Sequence, residues 1–265
     1  MIVNKMFIDT HAHIFMTVTE RGISLEDIIS ELHENQVDTV VDICGSEPEL
    51  EYHQKVKETF LKNNINFYAA AGIHPQESSN FIDSDISWIA KNKENIIAVG
   101  EVGLDFFYDF SPKEIQLKML RTMIEKSIEL QKPILIHGRC GEAQIYDMLN
   151  EYGFDDKKVL FHCYTGDLET AQKILKKGWL ISFSGILTFK KSADVLEIFN
   201  HTNINNMFFE TDSPFLAPVP FRGKPNTPGK VRYVYDFAAN LLNMKQTDLA
   251  KQVRENFNKF FNLNI

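Results

Sequence analysis

Apolar positions along the chain alternate between short continuous runs and longer stretches with helical spacing. The runs Phe7–Thr10, Val37–Ile43, Asn66–Ile73, Ile96–Glu101, Pro133–His137, Val159–Cys163, Trp179–Ser184 and Asn206–Thr211 read as eight strands, being short and rich in β-branched and aromatic residues. Helical patterns fall between them. Ser24 and Asp27 form a capping box ahead of Ile28, Ile29 and Leu32. Pro48–Leu61 reads as a second helix, and Asp167–Lys177 as another, closed by Gly178. Ser111, Pro112 and Glu114 mark a helix start, with Ile115, Met119, Met123, Ile124 and Ile128 expected on one face. Strands alternating with helices imply a parallel sheet buried on both faces. A (β/α)8 barrel takes about 250 residues. The expected fold is therefore α/β, a (β/α)8 TIM barrel filling one domain over residues 1–265.

Composition changes this picture little. The apolar share of 44% and charged share of 24% are those of a soluble globular chain. Three cysteines without a CxxC pair suggest a reducing compartment, with Cys163 as a buried structural thiol. The first ten residues lack a signal-peptide pattern, and no run approaches the roughly 20 apolar residues of a membrane span. A cytoplasmic monomer without membrane association is expected. The net charge of −8 argues against broad, charge-driven binding of nucleic acid, while leaving room for a local basic patch.

Candidate chemistry lies at the strand ends. His11 and His13 follow the first strand, and in extended backbone residues two apart point to one side. His74 follows the third strand, Glu101 ends the fourth, His137 the fifth, His162 lies in the sixth, and Asp212 follows the eighth. Five of the eight histidines occupy such positions, where barrel active sites are built. The others, His33, His53 and His201, fall on helices or their ends and are expected to face solvent. Imidazole with carboxylate suits Zn, Mn, Fe or Co, and less specifically Mg. His11, His13, Glu101, His137, His162 and Asp212 exceed the ligands of a single catalytic zinc, so two cations bridged by Glu101 are expected. Asp212 is a candidate both as ligand and as the group that orients or deprotonates water.

The stretches Asp9–His13, Gly72–Pro75, Gly100–Asp105, Ile136–Arg139, Phe161–Gly166, Glu210–Pro214 and Arg222–Asn226 together resemble the TatD family of metal-dependent deoxyribonucleases, a branch of the amidohydrolase-like barrels. The resemblance runs in order from residue 9 to about 257. It implies a pair of divalent ions (Zn, Mg or Mn) and hydrolysis of DNA phosphodiester bonds, as an exonuclease or endonuclease. His11, His13, Glu101, His137, His162 and Asp212 match the family's metal positions, and His74 a histidine acting on the scissile phosphate. Arg139, Arg222, Lys224 and Asn226 fall in the matching motifs and are expected to contact substrate. The chain departs from the family pattern after Arg139, at Phe215 in place of a usual tyrosine, and over Ile14–Gly22.

The segment Ser213–Tyr235 carries Arg222, Lys224, Lys230 and Arg232 and no acid. Phe215, Phe221, Tyr233 and Tyr235 are interleaved with them, a pattern suited to single-stranded DNA or frayed ends. The competing readings are a hydrolase of a small amide or ester, hydrolysis of an ester on tRNA, and a scaffold without metal.

Overall fold

A computed structural model of the chain describes residues 6–81, 84, 86–108, 110–154 and 158–265. Its strands are β1 Phe7–Ala12, β2 Val37–Cys44, β3 Asn66–Ala71, β4 Ile96–Asp105, β5 Ile134–Arg139, β6 Val159–Phe161, β7 Leu180–Phe183 and β8 Met207–Phe209. They form one sheet in sequence order, each paired in parallel with the next. The seam between β8 and β1 is joined by side chain and backbone. Thr10 Oγ1 donates to the Phe209 carbonyl at 3.1 Å, Asp212 N to His11 O at 2.9 Å and His13 N to Ser213 O at 2.7 Å. The result is the (β/α)8 barrel that the alternating pattern implies.

The helix signals are read correctly in part. Ser24 caps the helix Leu25–Glu34 by accepting from Asp27 N at 3.1 Å. Asp167 caps Leu168–Lys176 by accepting from Thr170 N at 2.8 Å. Ser111, by contrast, does not cap. The helix begins at Lys113, and the Ser111 hydroxyl instead donates to the Gln76 carbonyl at 2.8 Å and accepts from Ser79 N at 3.1 Å. Met119, Met123 and Ile124 are buried as expected and Ile115 is half-buried, but Ile128 is 48% exposed, and Leu117, Leu120 and Ser127 complete the buried face. Ile14–Thr19 forms a short helix, with His13 at its N-cap position.

Two irregularities in the sheet matter for the site. In the pairing of β4 with β5, Val99 faces Ile134 and Val102 faces Ile136, so β4 holds one extra residue across Gly100–Glu101. In the pairing of β1 with β2, Asp9 faces Val40 and Ala12 faces Asp42, again one extra residue, across Thr10–His11. Such bulges re-aim side chains. Between Glu101 and Asp105 the strands pass so closely that a Cβ on Gly103 would lie 1.8 Å from the His137 carbonyl oxygen, so no other residue fits there. The helix Val231–Leu241 braces the seam, where the Tyr235 ring packs on Phe7 and Phe209 and its hydroxyl donates to Ile8 O at 3.2 Å.

Candidate metal centre

Glu101 stands at the middle of the barrel mouth, almost fully buried, with each carboxylate oxygen facing its own set of imidazoles. Oε2 lies 3.4 Å from His11 Nε2 and 3.7 Å from His13 Nε2. Oε1 lies 2.6 Å from His162 Nε2, 2.7 Å from His137 Nδ1 and 3.6 Å from His74 Nε2. Asp212 joins the first set, its Oδ1 being 3.4 Å from His13 Nε2 and 3.7 Å from His11 Nε2. Asp212 adopts φ of +55°, a left-handed conformation that disfavours a side chain bearing Cβ and turns the backbone sharply after β8. All six residues expected as ligands, and His74, thus converge on one place.

A layer of hydrogen bonds behind these residues sets their orientation. Glu210 accepts from His162 Nδ1 at 3.1 Å and from the Ser182 hydroxyl. Asp105 Oδ2 lies 3.2 Å from His137 Nε2 and accepts from the Gln76 amide at 2.7 Å. Asp9 ties the β1 and β8 ends together, accepting from His11 N, Thr211 N and Thr211 Oγ1 at 3.2, 2.9 and 2.6 Å. The sequence reading missed Glu210, Asp105, Gln76 and Asp9. The available signal was their spacing, since Glu210 and Asp212 flank Thr211, Asp9 opens the motif that carries His11 and Asp105 closes the one that carries Glu101.

The electrostatics of the cluster favour cations. Burial, with the neighbouring His162, pushes the His11 pKa down and keeps the ring neutral. Among the described residues, neither ring nitrogen of the buried His11 has a hydrogen-bond partner, which a protein interior rarely tolerates unless another group meets them. Burial opposes protonation of His13, yet hydrogen bonding to Asp212 and the Glu101 charge hold its pKa up to about 9. Burial likewise opposes the Glu101 charge, but the surrounding histidines, His162 foremost, hold its pKa well below the carboxylate range. A buried carboxylate stays ionised only when positive partners compensate it. Groups with donor atoms close enough to share an ion include His11, His13 and Glu101, and His74, Glu101 and His137. The residues present therefore fit a divalent cation, with imidazole and carboxylate as a mixed N/O set.

His74 differs from the others. Its Nδ1 accepts from Gln76 N at 3.2 Å, which places the ring proton on Nε2, the atom facing Glu101. Burial first, with His137 and His13 adding, pulls its pKa down to about 3, so the ring is neutral.

The residues expected to contact substrate divide. Arg139 ends β5, with its guanidinium 4.0 Å from the Phe107 ring centre and 4.7 Å from that of Tyr108. Arg222 is exposed and lies over Phe189 at 3.7 Å, and Lys224 is exposed. Asn226 is a correction. It is fully buried, and its amide donates to Thr211 O at 3.0 Å and Phe215 O at 2.6 Å, so it fastens the loop after β8 and reaches no ligand. Lys230 is also buried, 2.8 Å from Glu31, and Arg232 pairs with Asp236 at 2.7 Å. Tyr235 is a core residue. Interleaving alone could not separate loop cations from helix cations, because residues 231–241 are helical. His53, expected to face solvent, is fully buried, 2.9 Å from Asp42 and stacked on Phe67.

The sequence model of the TatD-related DNase family matches residues 8–262. The metal-dependent hydrolase YabD of Bacillus subtilis is 33% identical over 98% of this chain and 100% of its own length. YcfH of Escherichia coli, of the same description, is 36% identical over 76% of each chain. Among solved structures, the TatD homologue YjjV of Escherichia coli superposes with a TM-score of 0.87 at 22% identity, covering 97% of this chain and 98% of its own. No helix among the described residues is long and apolar enough to cross a membrane. With that match across the barrel and a centre whose residues fit divalent cations, the chain belongs to the TatD-related DNase family and is a metal-dependent hydrolase.

Proposed function

We propose that the chain hydrolyses phosphodiester bonds of DNA, as an exonuclease acting on single-stranded or frayed ends, with the whole chain working as one barrel domain. The observation that carries this reading is the pairing of two kinds of group around Glu101. One kind is a ligand set split between its two oxygens, His11, His13 and Asp212 on one side and His137 and His162 on the other. The other is His74, a neutral ring whose N–H points into the same space. Two divalent ions held by these ligands would supply Lewis-acid activation of water and charge neutralisation at phosphorus.

Asp212, 3.4 Å from His13 and turned out after β8, would accept the proton of the attacking water. His74 Nε2 donates a hydrogen bond to a phosphoryl oxygen and needs no change of charge to do so. Arg139, at the end of β5, and the exposed Arg222 and Lys224 of the loop after β8 supply cations for phosphates on either side of the scissile bond. The family description supports DNA over a small amide.

The test is a direct comparison on purified protein stripped with chelator and resupplied with Mg, Mn or Zn. End-labelled single-stranded DNA is set against a panel of small amides and esters. Metal-dependent shortening of the DNA from one end is expected. Turnover of a small amide with no cleavage of DNA would overturn the proposal.

A further inference from the structure

Among the described residues, the large apolar side chains left in solvent are few, and three of them lie within four positions. Phe107 is 59% exposed, Tyr108 40% and Phe110 69%. The Phe107 and Tyr108 rings meet edge to face at 4.9 Å, and Tyr108 and Phe110 lie nearly parallel, 16° apart, at 5.7 Å. A compact exposed aromatic group of this kind marks a contact surface rather than a packing accident.

Its placement ties it to the metal centre. The segment follows β4 directly, and Asp105, the last residue of that strand, accepts from Phe107 N and Tyr108 N at 3.1 Å each. The other oxygen of Asp105 faces His137 Nε2. Phe106 N donates to Arg139 O at 2.9 Å, joining the same segment to the end of β5. The aromatic rings are therefore held by the hydrogen bonds that orient a ligand of the centre. Arg139, two residues beyond His137, lies over both Phe107 and Tyr108. A flat cation above flat exposed rings is the composition that takes a nucleobase on its π-face and the adjoining phosphate on its charge.

We infer that Phe107, Tyr108 and Phe110, with Arg139, form a shelf on which unpaired bases next to the scissile phosphate stack. This rests on the nuclease reading above and deepens it. Of the interleaved aromatics of the loop after β8, Tyr235 is in the core and Phe221 packs against Tyr233, which leaves Phe215, exposed beside His13, as the one that could extend the shelf. Duplex DNA keeps its bases stacked on one another and offers none to such a shelf. A single strand or a frayed end does, so the shelf is also what would set strand preference.

The experiment compares the wild-type enzyme with a Phe107→Ala, Phe110→Ala variant and with a Phe107→Tyr, Phe110→Tyr variant that keeps the rings. The substrates are a single-stranded oligonucleotide and the same oligonucleotide with abasic nucleotides at both ends. The wild type should show a KM at least about tenfold lower for the intact strand, from stacking. The alanine variant should lose that discrimination, so that the two changes are not additive, and the tyrosine variant should keep it. Discrimination unchanged in the alanine variant, or absent in a wild type that cleaves both strands, overturns the shelf and leaves the nuclease reading standing. Failure of the wild type to cleave either strand overturns the nuclease reading and the shelf with it.

Discussion

Glu210 lies behind His162, its Oε1 3.1 Å from the ring Nδ1, while the opposite nitrogen of the same ring is 2.6 Å from Glu101. A carboxylate in that position fixes which nitrogen is free and raises its basicity toward a metal. Glu210→Ala should lower metal affinity about 10- to 100-fold, as is usual when such an outer partner is removed. Titration of the stripped protein with Zn or Mn, followed by calorimetry, measures it. Wild-type affinity in the variant would show that Ser182 and the surrounding backbone orient His162 without Glu210.

Two cations per chain are expected, because Glu101 presents a separate ligand set to each of its oxygens. Elemental analysis paired with activity during metal titration checks the number. One equivalent giving full activity would rule out the bridged pair. Removing the metals should also lower the melting temperature, since a ligand bound only by the folded chain stabilises it.

Glu101→Gln leaves a neutral amide between two cation positions, and the ions would then repel without a shared anion. Both metal content and turnover should collapse together. Near-normal turnover with full metal would place Glu101 at the edge of the centre.

Asn226→Ala should destabilise the fold by about 1–3 kcal/mol, because two carbonyls, of Thr211 and Phe215, lose their donor. The shift is read from the urea midpoint. A change confined to KM for DNA, with stability unaltered, would restore Asn226 as a substrate contact.

Arg222 and Lys224 are exposed on the loop after β8. If they hold phosphates, their joint replacement by alanine should raise KM for DNA and flatten its dependence on salt. On a single strand the logarithmic slope should fall by about 0.7 for each phosphate left without its cation. An unchanged salt slope would mean that Arg222 serves only to cover Phe189.

The barrel was legible in the sequence because its strands and helices have different periods, and eight repeats of that alternation leave few other folds. The candidate ligands were legible for a related reason. His11 and His162 lie at or just past strand ends, where topology brings side chains together. Glu101 lies within β4, which runs on to Asp105 instead of ending at Glu101 as its apolar run suggests, and the bulge there aims it at the same place. Buried cations and donors were harder to recognise. Lys230 and Asn226 look like loop groups until Glu31 and the Thr211 carbonyl, distant in sequence, are brought against them. His53 was misplaced for the same reason, because Asp42 and Phe67 reach it from neighbouring strands and no periodicity on its own helix announces them.

The extra residue in β4 carries a further meaning. Ile134 and Ile136 are two apart on β5, so they face one way, and Val99 and Val102 keep step with them although they are three apart. The alternation that builds the wall is interrupted at Gly100–Glu101 and resumes after it. Glu101 is thereby excused from the in-and-out rhythm that governs its neighbours, and so is His11 across the matching irregularity in β1. Wall and candidate metal ligand are written in the same strand under different rules. Deleting one residue there would return β4 to strict alternation and is expected to re-aim the Glu101 carboxylate away from the imidazoles.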